Sequence, residues 1–331
     1  MLSILLFTCN AILPVILIIL LGYFLKVKGF FTKEFLKVAN WTVFHVCLPV
    51  MLFKNIAEIE SLSDIRLDVV AYALLAIGVL VLLGYFLTRL VPDVKQKGVI
   101  HQCAFRSNFA LIGVPLAELL GGSSGVATAA ILSTFSIPVF NIAAVVVLSM
   151  YKDGKTGVNW KKIIRDICHN PLINGVFLGL LALPVRMLCR RLGWSSFFAG
   201  LTFPSTILSY LSRAATPLAL LVLGGQFEFQ KVGEYKRQLF IGVLARNVMA
   251  PLVGITPALI LTLRGVLSFG PEVFSGLIAL FGTPIAVASA IMAEAMDNDG
   301  QLAAQLVVWT SLLSMLSLFI IIFVVRAFGL L

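Results

Sequence analysis

The sequence predicts an all-α polytopic membrane protein: ten transmembrane helices in two inverted five-helix repeats, with the fourth and ninth helices broken. Three observations predict it. Of 331 residues, 60% are hydrophobic and 12% charged, with a mean hydropathy of +1.04, whereas a soluble domain carries about 25% charged residues. Apolar runs recur at a spacing that suits spans of about 20 residues with short connections. Two of these runs, at corresponding places in the two halves, are interrupted by Gly and Pro.

The runs fall near residues 4–25, 35–57, 67–90, 99–120, 125–150, 171–189, 201–225, 238–263, 273–295 and 302–326. The first is too long for a signal-peptide core, lacks a basic leader and has no small-residue cleavage site after it. It therefore reads as a retained helix. The longest polar stretch, Lys152 to Asn170, divides the chain into a first repeat over 1–151, a connecting loop over 152–170 and a second repeat over 171–331. An odd number of spans per half sets the second half upside down relative to the first. Proline pairs support kinship between the halves. Pro49 and Pro217 stand 168 residues apart in the second and seventh runs, and Pro115 and Pro284 stand 169 apart in the fourth and ninth. A stretch rich in small residues follows each broken run, "GVATAAILSTFS" from Gly125 and "GQLAAQLVVWTS" from Gly300.

The net charge of +10 and the placement of Lys and Arg set the orientation. With the N-terminus outside, 15 of the 25 basic residues fall in inside loops and six in outside segments, as the positive-inside rule asks. Both termini then lie outside and the central loop in the cytoplasm. Arg186, Arg190 and Arg191 run against this bias. The positive charge suits an anionic membrane surface; no basic, aromatic-interleaved soluble segment exists to bind nucleic acid.

Several chemistries are excluded. "DGKTG" at Asp153 lacks the first glycine of a phosphate loop, since position 149 is Ser149. His45, His101 and His169 are scattered with no metal-ligand spacing, and no GxSxG motif occurs. The five cysteines show no CxxC pairing and read as small buried hydrophobes. Nothing points to an enzyme, a metal or a cofactor.

The broken runs carry the functional signal. Proline in a helix interior costs about 3 kcal/mol, and unsatisfied backbone in hydrocarbon costs several more. Such breaks persist where the freed groups face protein or a cavity. Matched Gly/Pro-interrupted runs in two halves mark a transporter site near the bilayer midplane. Half-helices that begin at a break present free N–H groups and a positive dipole end, which suit an anion. The candidate binding residues are Asn108, Ile112, Gly113 and Pro115 in the fourth run, with Gly282, Thr283, Pro284 and Ser289 in the ninth. The helix is expected to break at Pro115, so that Pro115→Ala would slow the transport cycle.

Charges within spans are costly. Lys54 and Glu58, four residues apart, suit an ion pair or snorkelling, and Arg213 suits snorkelling near a helix end. Arg106 and Arg246 are candidates for attracting an anion, or equally for satisfying exposed carbonyls. Glu294 and Asp299, with Asp297, are candidates for ion coupling or for a solvated turn. No buried acid is expected beside either break, so coupling to H⁺ or Na⁺ is left open.

The segments "RSNFALIGVPLA", "AATPLALLVLGGQF", "ARNVMAPLV" and "GTPIAVASAIMAEAMDNDGQLAAQLVVWTSLLS" resemble the bacterial branch of the auxin efflux carrier family over essentially the whole chain. That family also holds plant auxin carriers and permeases for malate or malonate. The resemblance implies crossing fourth and ninth helices in a moving domain of helices 3–5 and 8–10. A scaffold of helices 1, 2, 6 and 7 would carry a homodimer contact, and motion would be elevator-like. It adds Asn141, near the crossing, to the candidate site. The expected function is secondary transport of a small organic anion, a mono- or dicarboxylate, across the bacterial cytoplasmic membrane. A membrane receptor or anion channel on the same scaffold is the alternative.

Overall fold

The computed structural model describes residues 2–57, 66–152, 165, 168–191, 203–228 and 233–331. Glu58, most of the connecting loop and the side chains of Arg190 and Arg191 lie outside the described residues. Among the described residues the regular elements are helices, and a single isolated bridge is the one β feature. Six stretches of the described residues are long and apolar enough to cross a membrane: Lys33–Lys54, Leu67–Leu90, Phe109–Met150, Pro204–Gln226, Lys236–Leu263 and Gly300–Ala327.

In chain order the helices are α1 (Leu2–Val27), α2 (33–57), α3 (Leu67–Leu87), α4 (Val94–Phe105), α5 (109–121) and α6 (123–150). They continue with α7 (Pro171–Arg191), α8 (Phe203–Gln226), α9 (236–263), α10 (Pro271–Phe281), α11 (Ala288–Ala295) and α12 (Gly300–Ala327). Outward faces are as apolar as inward ones: Leu17, Leu21 and Phe24 on α1, Leu75 and Leu82 on α3, and Leu316 and Phe323 on α12 are all exposed. A helix apolar all round belongs in lipid.

A straight helix over 109–150 would be about 60 Å long at ~1.5 Å per residue, twice the hydrocarbon thickness. It turns instead at Gly122, whose φ of 59° and ψ of −146° suit glycine. The turn brings Gly125 against the carbonyl of Ala117. It falls in the gap expected between the fourth and fifth runs.

The fourth-run break lies earlier than the prolines suggest. Helix α4 ends at Phe105, Arg106 is extended (φ −84°, ψ 105°), and the chain resumes in a π-helical turn over Phe109–Gly113. Pro115 stands in the first turn of the α-helical part that begins at Val114. Proline is tolerated there because its missing N–H is not needed. In the ninth run Gly282 caps α10, and Pro284 stands in the extended stretch itself.

The two extended stretches cross side by side. Ser107 and Ile285 form an antiparallel bridge. The Asn108 N–H donates to the Pro284 carbonyl at 2.8 Å, and the Ala286 N–H donates to the Arg106 carbonyl at 3.3 Å. Bridge partners 107 and 285 are 178 residues apart, whereas the prolines are 169 apart. The difference of nine arises because Pro115 stands eight residues after Ser107, whereas Pro284 stands one before Ile285.

Around the crossing, α10 is the most enclosed element, with residues 273–281 at most 1% exposed. It packs on α5 and α6. Gly113 permits the close approach, since a Cβ there would lie 2.7 Å from the Ala279 carbonyl oxygen. On the other side, α2 packs on α7 and α8, and α1 on α8.

Candidate functional site

A cavity of about 270 Å³ opens beside the crossing. Its floor is the fourth-run break and the start of α5, 106–111, together with Ala286, Val287 and Ala288 at the start of α11. Helix α6 adds Ile137, Phe140 and Asn141. The facing wall comes from Leu48, Met51 and Leu52 on α2, Leu172 on α7, and Ser212, Thr216 and Ala219 on α8. The cavity lies close to the smallest volumes found for small-molecule sites, about 300 Å³.

Both half-helices that start at the crossing therefore turn their N-terminal ends to the cavity, where unpaired N–H groups and the helix dipole favour negative charge. Asn108 is buried, and its side-chain Nδ2 has no partner among the described residues. The Ser107 hydroxyl is likewise buried and unpartnered.

Among the described residues Arg106 is the one charged side chain in the cavity lining. It is only 4% exposed. Its Nη2 donates to Asn141 Oδ1 at 2.8 Å, and its Nη1 points at the thioether sulfur of Met292. The Asn141 amide is fixed in turn, because Nδ2 donates to the Ile137 carbonyl at 2.8 Å, leaving Oδ1 turned to the arginine. A thioether is a weak acceptor, and no carboxylate among the described residues pairs with Arg106. A buried cation with only neutral acceptors is electrostatically incomplete.

Arg246, fully buried, bonds backbone carbonyls instead, and its Nη1 has no partner among the described residues. Its Nε donates to the Thr283 carbonyl at 2.8 Å, and Nη2 donates to the carbonyls of Phe281 at 2.9 Å and Leu280 at 3.3 Å. It thus caps the C-terminal end of α10 and stands outside the cavity lining. The Thr283 hydroxyl donates to the Ala279 carbonyl at 3.0 Å, and Thr310 Oγ1 accepts from the Ile285 N–H at 3.3 Å. The Ser289 carbonyl accepts from Gln102 Nε2 at 3.1 Å.

Of the sequence-derived candidates, the cavity gathers Arg106, Asn108 and Asn141. Ile112, Gly113, Pro115, Gly282, Thr283, Pro284 and Ser289 frame the crossing without lining the cavity. Glu294 and Asp299 are also outside it. Asp299 caps α12 by accepting from the Leu302 N–H at 2.9 Å, and it accepts from Gln96 Nε2 and the Tyr235 hydroxyl. Lys95 binds Asp297 at 2.7 Å. Sequence reasoning missed Ser107, Ser212 and Thr216. The last two stand four apart in an apolar run, a spacing that sets them on one helix face.

Helices apolar on every side, two broken spans crossing at a buried cavity and an uncompensated cation in its lining define a polytopic membrane protein with an internal polar site. Residues 7–322 match the family described as membrane transport protein. The chain belongs to this family, the auxin efflux carrier family whose likeness its sequence carries. It is 26% identical over 314 residues to an uncharacterized transporter of Methanothermobacter thermautotrophicus, covering 93% of this chain and 95% of that one. It is also 26% identical over 269 residues to an uncharacterized transporter of Methanocaldococcus jannaschii, covering 77% and 80%.

Proposed function

We propose that the chain is a secondary carrier for a small organic anion whose carboxylate docks against Arg106, Asn108 and Asn141. The observation that carries this reading is the Arg106 guanidinium, buried in a cavity lining with no acidic partner among the described residues. A carboxylate there would complete a charge-assisted pair, while the unpartnered Asn108 amide would donate to its second oxygen. The converging N-terminal ends of α5 and α11 add favourable potential.

In this reading ten spans form two inverted repeats. Helices α1, α2, α7 and α8 make a scaffold with a homodimer contact, and the remaining spans move as an elevator carrying the crossing. A cavity walled on one side by α2, α7 and α8 and on the other by the crossing supports that division, since the substrate would sit at the seam. The termini face outward and the central loop the cytoplasm. Labelling Ser123→Cys from outside and Lys155→Cys from inside tests the orientation, and the reverse pattern would invert it.

The test of function is a thermal-shift screen of purified protein against carboxylates, with and without Na⁺ and across pH, followed by counterflow in proteoliposomes. A carrier saturates and exchanges trans-loaded substrate. A channel or receptor on the same frame shows no exchange. Retention of the carboxylate-induced shift in Arg106→Gln would remove Arg106 from the site.

A further inference from the structure

Across the cavity from Arg106 the wall is apolar except at two places, Ser212 and Thr216 on α8. Both are half-buried, and neither hydroxyl has a hydrogen-bond partner among the described residues. Helical Ser and Thr commonly bond the carbonyl one turn back, as Thr134 and Thr310 do here. These two leave that option unused and line the cavity instead. Among the described residues Arg106 supplies the single formal charge of the lining, and leucine, methionine and phenylalanine form much of the rest.

We infer that Ser212 and Thr216 select the substrate, a singly charged carboxylate that carries a neutral hydrogen-bonding group, such as a hydroxyl, at the end remote from its carboxylate. The inference rests on the anion reading above and narrows it. One arginine neutralises one carboxylate. A second carboxylate would meet Leu48, Met51 and Leu52 with no cation to pair it, and burial of an unpaired charge is strongly disfavoured. An unadorned alkyl acid would leave the two hydroxyls desolvated and unpaired. A neutral hydroxyl or carbonyl satisfies them, because Ser and Thr both donate and accept. Sites built to hydrogen-bond a substrate group discriminate against analogues that lack it.

The test uses purified full-length protein and three matched series of about four to eight carbons, a span suited to a small pocket: straight-chain monocarboxylates, their ω-hydroxy counterparts and the α,ω-dicarboxylates. Binding is read by calorimetry and by competition for uptake in proteoliposomes. At its best length the hydroxy acid should bind about 10-fold more tightly than the plain acid, one net hydrogen bond's worth, and more tightly than the diacid. The Ser212→Ala/Thr216→Val double variant should bring the hydroxy-to-plain ratio close to one, while Thr216→Ser keeps it above one. A merely structural role would move all ligands together and leave the ratio alone. A dicarboxylate that binds most tightly, or a ratio unchanged in the double variant, would overturn the inference while leaving the anion reading in place. Absence of binding by all three series in folded wild-type protein would overturn both.

Discussion

At the ninth-run break, the carbonyls of Leu280 and Phe281 at the end of α10 and of Thr283 just beyond it meet one guanidinium, the Thr283 hydroxyl is tied to Ala279, and the Ile285 N–H is received by Thr310. At the fourth-run break, the Asn108 amide and the Ser107 hydroxyl have no partner among the described residues, and Arg106 holds one amide oxygen and a thioether. The two stretches share a bridge and an extended backbone and both keep buried groups without a partner among the described residues, Ser107 and Asn108 at one and Arg246 Nη1 and the Ser289 hydroxyl at the other, but only the first pair lines the cavity. Unsatisfied backbone is untenable at membrane depth unless protein or ligand meets it. The ninth-run break, whose arginine is tied to backbone carbonyls outside the cavity, can act as a fixed strut, and the fourth-run break has its spare donors where a guest can reach them. The two buried arginines differ in the same way, since Arg246 bonds backbone carbonyls outside the cavity lining and Arg106 lines it.

This contrast can be broken by substitution. The largest effect is expected at Arg246. Arg246→Met leaves the carbonyls of Leu280, Phe281 and Thr283 without their charged donor, at a cost on the order of 3 kcal/mol or more. The expected outcome is loss of monodisperse protein in detergent, measured by size-exclusion chromatography and thermal melting. Arg106→Gln should fold but lose the carboxylate-induced thermal shift, separating a binding arginine from a structural one. Asn141→Leu removes the acceptor that orients Arg106 and should weaken carboxylate binding about 10-fold, in line with one hydrogen bond to a charged group. The smallest effect is expected at Pro115. Because it stands in a helical first turn, Pro115→Ala should leave counterflow within about twofold of wild type, since proline there costs the helix little. A large loss would return the functional break to the proline.

Much of the architecture was legible in the chain. Lipid as the solvent followed from composition, the span limits from apolar runs, and the interruption of the fourth and ninth runs from Gly and Pro. The turn between the fourth and fifth runs was legible as the polar, glycine-rich gap around Gly122. The break itself was misplaced in the fourth run, because proline marks where a helix is weakened and not where the chain leaves helical geometry. A π-turn over Phe109–Gly113 separates the two. Arg106 and Arg246 were indistinguishable by sequence. Each is a lone cation in an apolar span, and which acceptors it meets depends on residues about 35 positions away in either case, Asn141 for one and Phe281 for the other.

Hydropathy and proline stereochemistry are local properties, so the solvent, the helical class and the existence of two weak points can be read along the chain. Where those weak points meet, which arginine lines the cavity and which hydroxyls on α8 share that lining are set by packing. Those outcomes depend on which distant side chain lies within about 3 Å of a donor, and no local property of the chain contains that distance.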